Sequence, residues 1–261
     1  MSAAPTPGTL YLVPTPLDHG CPLQAPLTDA LPQGTIEVAA RLSHWISENA
    51  RSTRAFLKRV AALVPLAQPL QAQHIQQLPH AIHKQGDHRR AGTWDARPLL
   101  ASALQGHDLG LVSEAGMPAV ADPGSSVVRA AHDLGIEVRP LVGPVSMLLA
   151  LAASGLNGQS FAFVGYLPQE ASRRATRLRE LEAWAQQSGQ SQMFIETPYR
   201  NAALLQALLQ QLRPDTRLAV CSGLTLAQQR CTSLRVADWR LRSAALTADL
   251  SAQPAVFAIG P

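Results

Sequence analysis

Short apolar runs alternate along this chain with longer stretches in which apolar residues recur at three- and four-residue spacing, a succession of strands and helices. In the first half, residues 10–13, 42–47, 109–112 and 136–142 read as strands, and 34–41, 50–64, 98–106 and 125–134 as helices. In the second half the strands are 161–166, 193–195, 218–221 and 255–259, with helices over 145–153 and 173–187. Leu204, Leu205, Leu208, Leu209 and Leu212 mark one stripe of a further helix, and Trp239 falls in a less regular region. The stretch 109–124, LGLVSEAGMPAVADPG, organises the rest: a buried strand, a loop of small residues around Glu114, and a helix expected from an Asp122 N-cap and Pro123 at its first position. Beyond the carboxyl ends of parallel strands is where small ligands dock, although an ordinary strand-to-helix connection has the same outline.

The sequence SGLNG at 154–158 breaks this alternation and divides an N-terminal α/β domain, residues 1–155, from a C-terminal α/β domain, residues 159–261. The fold class expected is α/β, with two αβα domains in series. Residues 1–8, rich in proline, read as a mobile lead-in. A poorly patterned stretch comes after Pro65 and contains His80, His83, Asp87 and His88. No motif fixes these side chains on one face, so a solvated loop is expected there and no metal site.

Composition narrows the picture. Of 261 residues 46% are hydrophobic and 15% charged, enough apolar content for a real core. No apolar run approaches a membrane span and MSAAPTPG lacks the layout of a signal peptide, so a soluble cytoplasmic protein without a membrane partner is expected. Cys21, Cys221 and Cys231 form no C-x-x-C pair and read as free thiols. The net charge of +4 permits a nucleic-acid partner without demanding one. Neither G-x-G-x-x-G after the first strand, nor a P-loop, nor a G-x-S-x-G elbow occurs, which removes the main support for dinucleotide, P-loop and hydrolase chemistry. What remains is a set of small-residue and polar loops at strand ends: 14–17, 47–51, 113–118, 143–146 and 195–200. Such loops can hold an adenosine with an amino-acid tail through backbone groups.

These segments resemble a known family. YLVPTPL at 11–17, LVSEAGMPAVADPG at 111–124, PLVGPVSMLLALAASGL at 140–156, FVGYLP at 163–168 and FIETPYR at 194–200 fall in the order and spacing of the tetrapyrrole-methylase superfamily, the class III S-adenosylmethionine-dependent methyltransferases. Within it they are most similar to the branch that methylates a cytidine 2′-hydroxyl of 16S ribosomal RNA, as a divergent paralogue. The resemblance runs from about Leu10 to Ile259. It implies a cofactor cleft between the two domains holding S-adenosyl-L-methionine, and a homodimer. Carried over residue by residue, the cofactor contacts are Leu17, Glu114, Met117, Val145, Ser146 and Ile195. For Val145 and Ile195 core packing explains the residue type equally well.

The departures from the family fall on polar positions. Its E-D-T-R stands here as Glu48, Asn49, Ala50 and Arg51, and its R-E-L-T-K as Ser222, Gly223, Leu224, Thr225 and Leu226. The sequence also stops where the last expected strand stops, short of the small extension many members carry. Methyl transfer depends chiefly on holding donor and acceptor in line, and a ribose hydroxyl must also lose its proton. Glu48, Arg51 and Glu196 are the catalytic candidates, with a structural ion pair to Arg51 or Arg200 as the other role for each carboxylate. Arg173, Arg174 and Arg177 are candidate phosphate contacts or a solvated helix face. Three functions fit this sequence: a methyltransferase of RNA, with rRNA or the small ribosomal subunit as partner and no DNA; a methyltransferase of a small molecule; and a degenerate protein that binds the cofactor without transferase activity.

Overall fold

A computed structural model describes residues 6–18, 21, 23–79, 94–246, 250 and 253–261. His80, His83, Asp87 and His88 lie outside the described residues. The chain divides into two compact units, Met1–Val145 and Ser146–Pro261.

The first unit contains β1 (Leu10–Val13), α1 (Gln33–Arg41), β2 (His44–Ser47), α2 (Ala50–Ala61), β3 (His74–Gln77), α3 (Ala101–Leu104), β4 (Leu109–Val112), α4 (Ser125–Asp133) and β5 (Val138–Pro140). Its sheet has the order β3-β2-β4-β1-β5, and every pairing is parallel. A parallel sheet covered on both faces needs continuously apolar central strands. Leu109, Gly110, Leu111 and Val112 of β4 are all buried. One face packs Tyr11, Val13, Ile36, Trp45 and Leu57; the other packs Leu10, Ile46, Leu100, Leu109 and Val127. Gly110 sits against the Trp45 ring, where a Cβ would stand only 2.5 Å from ring carbons.

The second unit contains α5 (Ser146–Ser154), β6 (Phe161–Tyr166), α6 (Ala171–Ser188), β7 (Ser191–Glu196), α7 (Asn201–Gln211), β8 (Arg217–Ser222), β9 (Arg230–Arg235), α8 (Val236–Leu246) and β10 (Ala255–Gly260). Its sheet is mixed, in the order β6-β7-β10-β8-β9. β6 and β7 run parallel, β10 lies antiparallel between β7 and β8, and β9 is antiparallel to β8. Leu178, Leu181, Phe194, Leu204, Leu205, Trp239 and Phe257 form one core of this unit.

The structure differs from the sequence pattern at identifiable places. Helix α5 packs on β8, β9 and β10 and therefore groups with the second unit, ahead of the 154–158 break. It buries Met147, Ala150 and Leu151 and exposes Leu148 and Leu149. Of the lead-in, Gly8 is docked rather than mobile, its N–H donating to Ala103 O at 2.8 Å. The expected strand 136–142 shrinks to three residues. Helix α4 begins at Ser125 with Gly124 as its cap at φ 137°, so neither Asp122 nor Pro123 starts it. Strands β3 and β9 and helix α8 are not signalled by apolar pattern.

Candidate functional site

In the first unit the parallel sheet brings the carboxyl ends of β1, β2 and β4 to one edge, where their outgoing loops meet. After β1, Thr15 and Gly116 exchange two backbone hydrogen bonds of 3.0 Å, and Thr15 Oγ1 donates to Ser113 O at 3.3 Å. Gly116 has φ 78°, a conformation that suits glycine. A Cβ there would stand 3.1 Å from Leu17 Cδ2 and 3.5 Å from Pro144 O. Leu17 and the residue before Val145 thus border the same loop that carries Glu114 and Met117.

After β2 the chain turns through a hydroxyl network. Ser47 Oγ and Thr53 Oγ1 are 2.6 Å apart, and Asn49 N–H donates to Ser47 Oγ at 2.9 Å. Asn49 Oδ1 accepts the Arg51 N–H at 2.9 Å and so caps α2. Asparagine caps as well as aspartate, so this departure from E-D-T-R leaves the helix start intact. The turn holds Glu48 where its Oε2 accepts the Glu114 N–H at 2.9 Å. Two residues singled out from sequence, 66 positions apart, are therefore in direct contact.

A third carboxylate completes the cluster. Asp122 lies in the loop before α4, beyond Ala119 and Ala121, which both take positive φ. Burial, then the charges of Glu48 and Glu114, push its carboxyl up to about 7 from an ordinary 3.8. Its position before Pro123 gives it the look of a helix cap; three acids at the ends of two neighbouring strands is the signal that would have found it.

Beside this junction lies a cavity of about 490 Å³ whose lining includes Asn49, Arg51, Phe56 and Glu114. Its wall is braced by Arg59, which donates from both terminal nitrogens to the Asp18 carboxylate at 3.0 Å and from Nη2 to Ala25 O at 2.6 Å. Asp18 is only 3% exposed, while the Arg59 side chain is half-buried at 23%.

In the second unit, Ser146 opens α5 and Ile195 lies half-buried in β7, paired with Val256 and Tyr166. Glu196 is buried. Its Oε1 accepts from Thr197 N–H at 2.8 Å and from Thr197 Oγ1 at 3.3 Å, and Arg200 Nη2 stands 3.1 Å away. That carboxylate orders the turn after β7. At the R-E-L-T-K position, Gly223 and Thr225 take positive φ and Leu224 and Leu226 are buried, so a packed apolar turn replaces the charged one.

Comparison with known proteins agrees with this architecture. The family model for tetrapyrrole (corrin/porphyrin) methylases matches residues 44–238. Ribosomal RNA small subunit methyltransferase I of Mesorhizobium japonicum is 34% identical over 85% of this chain and 66% of its own length. The protein of that name from Vibrio cholerae is 28% identical over 88% of this chain and 69% of its own. The chain thus spans about two thirds of the length of these curated relatives. Among solved structures, the methyltransferase CobJ superimposes with a TM-score of 0.55 at 17% identity, covering 97% of this chain and 94% of that one. Uroporphyrin-III-C-methyltransferase from Thermus thermophilus gives 0.51 at 19% identity over the same shares. A fold shared at that distance and a family model covering most of the chain lead to one conclusion: this chain belongs to the tetrapyrrole methylase family.

Proposed function

We propose that the chain is an S-adenosylmethionine-dependent methyltransferase whose acceptor is a ribose 2′-hydroxyl of small-subunit ribosomal RNA. The observation that carries the reading is the Glu48–Glu114 junction, formed by two family motifs in a chain whose curated relatives are named as small-subunit rRNA methyltransferases. A homodimer and a cytoplasmic location belong to the same reading.

The residues fit the cofactor. Ser113 Oγ is buried at the carboxyl end of β4 with no hydrogen-bond partner among the described residues, a cost of about 1–3 kcal/mol that a ligand hydroxyl would remove. Gly116 keeps open a space that a Cβ would narrow. Glu48 and Glu114 place negative charge where a sulfonium is to be held. Within the first unit, Leu17, Met117 and Val145 offer apolar contact and Glu114 polar contact; Ser146 and Ile195 are the second unit's own candidates. Bound S-adenosylmethionine would supply an electrophilic methyl group.

The chain's own residues hold and deprotonate the acceptor. Arg51, exposed on the cavity wall, is placed to meet an acceptor phosphate. Glu48, at the junction with the Glu114 loop, is the proton acceptor in this reading, whereas Glu196 is ion-paired to Arg200 and acts by positioning the turn after β7. Asp122, its carboxyl pushed up to about 7, is only partly ionised at neutral pH and so adds less than a full charge beside Glu48. The test is transfer of labelled methyl groups from S-adenosylmethionine to small ribosomal subunits lacking the modification, with mass spectrometry of 16S rRNA from a gene-deletion strain. A missing ribose methyl in the strain, restored by the protein, is expected. Unchanged rRNA alongside calorimetric binding of the cofactor would transfer the reading to a small-molecule acceptor or to a cofactor-binding protein without transferase activity.

A further inference from the structure

The charge of this chain is unevenly placed. Residues 1–145 hold eleven lysines and arginines against eleven carboxylates, whereas residues 146–261 hold eleven arginines against seven, so the whole excess of +4 belongs to the second unit. Part of that excess gathers at one edge of its sheet. Strands β6 and β7 are parallel neighbours, so the chain leaves Tyr166 and Glu196 side by side. After β6 comes a groove of about 360 Å³ lined by Pro168, Ser172, Arg173, Thr176, Arg177 and Glu180. Arg173 is exposed and makes no hydrogen bond or ion pair among the described residues, while Arg177 Nη1 pairs with Glu180 at 3.1 Å. After β7 comes Tyr199, 73% exposed, with the Arg200 guanidinium 5.3 Å from its ring centre. Tyr166, at the end of β6, is 59% exposed.

Guanidinium groups beside outward-facing aromatic rings are the combination that single-stranded nucleic acid uses. Phosphates meet the cations, and unstacked bases lie on the rings. A solvated helix face would need the arginines but not two tyrosines at the strand ends next to them. We propose that this edge of the second unit is the contact surface for the RNA strand, with phosphates in the Arg173–Arg177 groove and an unpaired base on Tyr199. The inference rests on the RNA reading above and adds where, on the chain, the strand is gripped.

The experiment is fluorescence anisotropy of the full chain with a labelled, mixed-sequence, short single-stranded RNA over a series of KCl concentrations. The variant R173Q/R177Q should bind about tenfold more weakly at low salt, with a log–log salt slope smaller by about 1.4, or 0.7 for each of two phosphates. Y199A should lose about tenfold at every salt concentration, since stacking is not a counterion effect. R235Q/R242Q removes the same charge elsewhere in the unit and should bind as the unmodified chain does. Cofactor binding by calorimetry should be equal in all four proteins, which reports that each is folded. If R173Q/R177Q and Y199A keep full affinity and slope, the surface is wrong while RNA remains the acceptor. Equal losses in R235Q/R242Q and R173Q/R177Q would mean diffuse charge and overturn the assignment. If the unmodified chain binds the cofactor but no RNA, this proposal and the RNA reading fall together.

Discussion

Asp122→Asn preserves the shape of a half-buried side chain and removes its charge. In the folded chain the Asp122 carboxyl releases its proton near pH 7, and in the unfolded chain near 3.8. Each pH unit of that difference is worth about 1.4 kcal/mol, so the ionised side chain weakens the fold by up to about 4 kcal/mol. Because its folded-state value is raised, the wild type is least penalised below pH 3.8, loses stability as pH climbs from there to about 7, and is level above. The asparagine variant has no such titration. Its advantage over the wild type should therefore grow from about 1 kcal/mol near pH 4.5 to between about 2 and 4 kcal/mol near pH 7.5, the lower figure allowing for solvent at the partly open site. Urea unfolding followed by far-ultraviolet circular dichroism at several pH values measures this. A pH-independent offset, or a variant weaker than the wild type above pH 7, would refute the account, because Asp122 would then be ionised in a favourable setting.

Arg59→Met leaves the Asp18 carboxylate buried without its partner and should cost about 1.5–3 kcal/mol in urea-derived stability, less than a fully buried pair because the guanidinium is partly exposed, whereas loss below about 1 kcal/mol would mean that water enters freely. Gly110→Ala drives a methyl to within 2.5 Å of the buried Trp45 ring and should destabilise the first unit by about 1–3 kcal/mol, with a change in tryptophan emission; unaltered emission and melting would contradict it. The His44 ring stacks between His74 at 4.7 Å and His107 at 4.5 Å, and burial followed by those two neighbours lowers its proton affinity. The stability this permits is complete above pH 6.5 and falls below it as acid protonates His44, so His107→Gln should flatten the pH dependence of unfolding just below pH 6.5; parallel curves would exclude the effect.

Much of the fold was readable because central strands are apolar runs between turn residues. Leu10–Val13, Leu109–Val112 and Phe161–Tyr166 fall where the pattern put them. What escaped lies at edges. Strand β3, His-Ile-Gln-Gln, closes one side of the first sheet with no fully buried side chain, and β9, Arg-Cys-Thr-Ser-Leu-Arg, does the same in the second. An edge strand takes its hydrogen bonds from a neighbour and owes little to its own apolar content. Helix α8 hid for a different reason: it buries Val236 and Trp239 but leaves Leu241 85% exposed, so its apolar residues do not mark one face. At the site, motif resemblance brought Glu48 and Glu114 into view, and the coordinates supplied the bond between them. Asp122 was hidden because Asp-Pro-Gly reads locally as a helix start, while its charged neighbours are Glu48, 74 positions earlier in the turn after β2, and Glu114.

The placement of β10 has a consequence for biosynthesis. A ribosome emits β7 and β8 well before Ala255–Gly260, yet those two strands never bond each other; both wait for the segment that separates them. A nascent chain halted before Ala255 would carry two naked strand margins, each a template for pairing with a neighbour on the same polysome. The second unit is therefore where truncation or slow translation should turn into insoluble protein, whereas the all-parallel first unit is already fully emitted by then.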